Sequence, residues 1–73
     1  MATSHESIQR YLERAFADYL AGRKTQRTFI GDIQGSNMRG KALAVLFTAQ
    51  KGAGDAAKWD LAYRECETRG WLK

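Results

Sequence analysis

The chain contains no proline, a single cysteine, a single histidine, and no apolar run longer than residues 42–47. Each scarcity excludes something. One cysteine rules out a disulfide framework of the kind that staples small secreted domains, so a reducing, cytoplasmic setting is expected. Cys66 and His5 stand near opposite ends of the chain. Together they fall short of a Cys/His zinc site, which takes about four ligands. No calcium-loop pattern of carboxylates is present either. The expected cofactor and metal complement is therefore none. The longest apolar run is far below the ~20 residues that cross a bilayer, and residues 1–6 are polar without the apolar core of a signal peptide. No membrane association is expected.

What the chain does have is ordinary globular composition: 73 residues, 44% hydrophobic and 27% charged. That suffices for one small domain over residues 1–73, with an expected stability of only ~3–5 kcal/mol. Without proline, the punctuation falls to seven glycines. They separate three segments with helical periodicity, so the expected fold class is all-α or mostly α, a compact three-helix domain.

The first helix spans about residues 4–21. Thr3 and Glu6 have capping-box spacing, and Ile8, Tyr11, Leu12, Ala15, Phe16, Tyr19 and Leu20 form one apolar face. Glu6–Arg10 and Arg14–Asp18 are i, i+4 pairs, and Gly22 suits the C′ position. The last helix starts at the N-cap Asp55 and carries the stripe Trp59, Ala62, Tyr63 and Cys66. Gly70 then suits a Schellman ending that folds Trp71 back onto Cys66. The stripes assign Tyr11, Phe16, Tyr19, Trp59 and Tyr63 to the core, and Cys66 is expected to be a packed thiol.

The middle helix is capped by Ser36 or Asn37. Met38, Ala42, Val45, Leu46 and Ala49 make its face, widened by Leu43 and Phe47. A buried strand over residues 42–48 is the rival, disfavoured because residues 41–50 hold good helix formers and only two β-branched residues. Residues 25–34 hold either a short strand around Thr28, Phe29 and Ile30, or an irregular loop that drops Phe29 and Ile33 into the core.

The net charge of +4 is uneven. Residues 1–18 carry −1 and residues 55–73 carry zero. Residues 19–54 carry six bases (Arg23, Lys24, Arg27, Arg39, Lys41 and Lys51) against Asp32, giving +5. Residues 35–41 add a helix start to two cations, which favours anions, but lack the GxxxxGK(S/T) spacing of a phosphate loop. A nucleophile–base pair is missing, because His5 is the only histidine, and the carboxylates are scattered. No enzyme is expected. A helix-turn-helix is disfavoured, since the turn at residues 50–55 is long and the following helix opens with Asp55 and Asp60.

Two functions compete. The first is a regulator that docks Arg23, Lys24, Arg27, Arg39, Lys41 and Lys51 on nucleic acid or a nucleoprotein. Six phosphate contacts would give a log K against log salt slope of about −5. The second is a protein-binding inhibitor or adaptor of mobile-element type, seated on an acidic surface, with Phe29, Met38 and Trp71 as apolar anchors. The wide apolar face of the middle helix also raises a homo-oligomer.

Overall fold

A computed structural model describes residues 5–73, with side chains from Ser7 onward. Four helices run α1 (His5–Leu20), α2 (Gln26–Ser36), α3 (Lys41–Ala49) and α4 (Ala56–Thr68). The all-helical expectation is met, with one correction to the count. Residues 25–34 are neither strand nor loop: they enter α2, and no strand occurs among the described residues. The Thr3–Glu6 capping box lies outside the described residues.

The extra helix has a local cause. Thr25 takes the extended N-cap conformation and its hydroxyl accepts from the Thr28 N–H at 3.1 Å. Phe29, Ile30 and Ile33 then fall on one face and are buried. Gly31 and Gly35 obscure the pattern in the sequence, because glycine inside a helix costs about 1 kcal/mol relative to alanine. Burial of three large side chains outweighs that cost, at about 1.5–3 kcal/mol each. Asn37 closes α2 in the left-handed region at φ 61°.

That closure also corrects the middle helix. Neither Ser36 nor Asn37 caps it. The chain turns through 37–40, and α3 begins after Gly40. Met38 lies in the turn and is buried. The turn breaks the phase between Met38 and the helix, so the inward face of α3 is Leu43, Leu46 and Phe47, while Ala42, Val45 and Ala49 are exposed.

The remaining ends follow their sequence signals. After α1, the Arg23 N–H donates to the Asp18 carbonyl at 2.8 Å with Gly22 at φ +85°. Asp55 caps α4 by accepting from the Ala57 N–H at 2.9 Å. After α4, the Trp71 N–H reaches the Cys66 carbonyl at 2.9 Å with Gly70 at φ +75°. Both glycine endings are Schellman motifs.

Helix α1 packs against each of the other three, and α2 also packs on α4. Phe16 sits at the centre, 4.6 Å from the Phe29 ring and 4.9 Å from the Phe47 ring. Tyr19 donates its hydroxyl to the Lys58 carbonyl at 2.8 Å. Trp59 donates Nε1–H to the Phe47 carbonyl at 2.9 Å, which ties α4 to the end of α3. Tyr11 departs from its expected core position: its ring is 56% exposed. No described helix is long and apolar enough to cross a membrane.

Candidate functional site

The six central cations were the candidate site, and the fold disperses them. Arg23 turns back on α1, with its guanidinium 2.9 Å from Asp18. Asp18 therefore pairs with Arg23 in place of Arg14. Lys24 lies 2.8 Å from Asp32 and 5.7 Å from the centre of the Tyr11 ring, whose hydroxyl donates to the same carboxylate at 3.1 Å. The hydrogen bond to Asp32 raises the Lys24 pKa above its ordinary value. Arg39 donates to the Ile33 carbonyl at 3.1 Å and the Met38 carbonyl at 2.8 Å, and stacks 4.3 Å from the centre of the Trp71 ring. It thus joins the Ser36 hydroxyl, which donates to the same Ile33 carbonyl at 2.7 Å, in satisfying the end of α2. Lys51 sits 4.3 Å over the centre of Trp59.

Among the described residues, Arg27 and Lys41 are the two central cations with no internal partner. Arg27 projects beside a groove between α2 and α4, with Ile30, Gln34, Glu65 and Arg69 as neighbours. Lys41 opens α3. Lys51 lines a separate groove between α3 and α4. The sequence cluster is thus not one surface in space.

The apolar anchors fare similarly. Phe29 is completely buried, with its ring 5.3 Å from Tyr19, and Met38 is buried as well. Neither reaches a partner, which corrects their assignment as anchors. The sequence placed Phe29 outside any helix, so its inward-facing α2 stripe went unread. Trp71 is half-buried between Arg39 and Arg69, the latter 5.0 Å from its centre.

A surface that the sequence left unmarked lies along α3 and α4. Phe47, Trp59 and Tyr63 floor the groove, with Trp59 and Tyr63 stacked at 5.1 Å and an 8° interplanar angle. Ala44 and Thr48 form one wall; Asp60, Arg64 and Glu67 form the other. Val45, 49% exposed, stands one row outside the groove. The i, i+4 spacing of Trp59 and Tyr63 was the available signal, but it also fits a wholly buried stripe.

Among the described residues no three His, Cys, Asp or Glu side chains come together around a metal-sized space. Cys66 is fully buried, and burial pushes its thiol pKa up to about 12. The reactive species of a thiol is its anion, so this cysteine is inert at neutral pH. Burial, with a smaller contribution from Asp55, also raises the Tyr19 phenol.

Compared with family models, curated proteins and solved structures, the chain matches none.

Proposed function

We propose that the chain is a non-enzymatic binding module that docks on a protein partner and acts as an inhibitor or adaptor of a larger assembly. One observation carries this reading: four of the six central cations already have internal partners. A phosphate-binding surface keeps its cations free and close together. Here the fold instead leaves Arg27 beside Ile30 and Gln34 in a shallow groove of mixed character. An arginine next to apolar and amide groups suits a protein surface with an acidic rim. Recovery of a protein partner from source-cell lysate after nuclease treatment, lost at least tenfold on Arg27→Glu, supports the reading. Recovery that disappears with nuclease sinks it.

Docking on nucleic acid or a nucleoprotein is the second reading. It is favoured by the +4 net charge and by the unpartnered Arg27 and Lys41. Its test is titration of labelled DNA and RNA across salt concentrations.

A further inference from the structure

The α3–α4 surface gathers several charged groups that the fold leaves without an ion pair. Asp18, Asp32 and Glu65 each hold a cation, and Asp55 caps α4. On this surface Asp60, Arg64 and Glu67 are exposed and make no ion pair among the described residues. Lys41 at the start of α3 is also unpaired, and Lys51, past its end, reaches over the Trp59 ring at the mouth of the groove. Between the two lysines the outward row of α3 is apolar around Val45, and α3 carries no carboxylate. The surface therefore has a basic-ended apolar helix beside an aromatic-floored groove whose wall reads acid, base, acid.

We propose that this surface pairs with a second copy of the chain, α3 of each copy lying against the α4 wall of the other about a two-fold axis. Charge selects that arrangement. An antiparallel contact of α3 with its own copy would set Lys41 against Lys51. An antiparallel contact of α4 with its own copy would set Asp60 against Glu67 and Arg64 against itself. The crossed arrangement places Lys41 and Lys51 opposite Asp60 and Glu67, and the two-fold makes the match twice.

The lengths agree. Ten residues separate the lysines and seven the carboxylates. At a helical rise of ~1.5 Å per residue these spans are about 15 and 10 Å, a gap that flexible lysine stems close. Val45 then meets the Tyr63 ring and the stem of Arg64 of the other copy. The pairing is independent of the groove beside Arg27, so it stands or falls apart from the docking function.

Sedimentation equilibrium from low to several hundred micromolar tests it. The expected mass rises from 8.2 kDa towards twice that value. Val45→Glu, at an exposed helical site, is expected to weaken association at least tenfold with an unchanged circular dichroism spectrum. A second experiment uses two variants, Asp60→Lys/Glu67→Lys and Lys41→Glu/Lys51→Glu. Each is expected to be monomeric alone, because its α3 and its groove wall then carry the same sign, and the mixture is expected to form a heterodimer. A chain monomeric at the highest concentration overturns the proposal. So does a dimer that Val45→Glu leaves unchanged, or a pair of charge variants that stay apart on mixing.

Discussion

Gly40 sits at φ 64° and ψ −133°, a region that side chains avoid, and a Cβ there would stand 2.9 Å from the Lys73 carbonyl oxygen. Its N–H donates to the Trp71 carbonyl at 2.7 Å, so this turn holds the segment after α4 against the start of α3. Gly40→Ala is expected to lose about 1–3 kcal/mol from backbone strain and crowding together. Gly52 is the control: its φ is +83° but nothing lies within 4 Å of its would-be Cβ. Gly52→Ala should lose only the left-handed penalty, about 1–2 kcal/mol. At about 4–8 °C per kcal/mol, thermal unfolding resolves the difference; equal losses would deny the Lys73 contact any weight. Cys66 gives a pH prediction of definite sign. Its folded pKa is about 12 against 9.0 for the free thiol. Below pH 9 neither state ionises and the stabilisation is complete. From pH 9 towards 12 the unfolded thiol ionises first, so stability falls as pH rises. The raised Tyr19 and Lys24 pKa values add in the same direction. Unfolding titrations at pH 7 and 10 should show the fall, and Cys66→Ala should make it shallower. Native Cys66 should also resist a thiol reagent at pH 8 and react once denatured.

At the scale of the element, α2 is the informative case. Its start rests on one hydroxyl, so Thr25→Ala is expected to cost about 1 kcal/mol as the Thr28 N–H loses its acceptor. Its interior holds Gly31, where a Cβ would meet nothing within 4 Å. Gly31→Ala should therefore stabilise the fold by about 0.5–1 kcal/mol. Paired thermal melts check both signs, and a destabilising Gly31→Ala would mean that α2 is strained in a way its backbone does not show. The same helix marks where the sequence stopped being legible. Helices α1 and α4 announce themselves by caps, long apolar stripes and glycine endings, and local chemistry decides those features. In α2 local preference points the other way, with two glycines and the β-branched Thr28, Ile30 and Ile33 in eleven residues. It is helical because Phe29 packs beside Phe16 and Tyr19 and Ile33 is buried in the same core, a tertiary gain invisible in a window of sequence. The face of α3 is hidden in the sequence for a related reason. Met38 continues the apolar spacing on paper, but the left-handed Asn37 and the turn at Gly40 reset the helix phase behind it.

For the whole molecule, net charge proved readable and its arrangement did not. The +5 of residues 19–54 is a matter of counting; which cations stay free depends on acids brought near by the fold. Lys24 meets Asp32 across the α1–α2 turn, and Arg23 meets Asp18 because the Schellman turn at Gly22 reverses the chain. This alters the expected salt dependence of any nucleic-acid binding. Six phosphate contacts would give a slope of about −5, whereas the two unpartnered cations Arg27 and Lys41 give about −2, since each contact adds about −0.9 on duplex DNA. The expected slope for the intact protein is therefore close to −2. The carboxylates that hold Arg23 and Lys24 provide the complementary experiment. Asp18→Asn with Asp32→Asn keeps the side-chain shapes and frees both cations, so nucleic-acid affinity at 50 mM salt should rise and the slope should steepen by about 2. An unaltered slope would mean that Arg23 and Lys24 face away from the strand even when free. A slope near −4 in the unmodified chain would mean that phosphate displaces the carboxylates on binding, making these two ion pairs a reserve of charge that the partner opens.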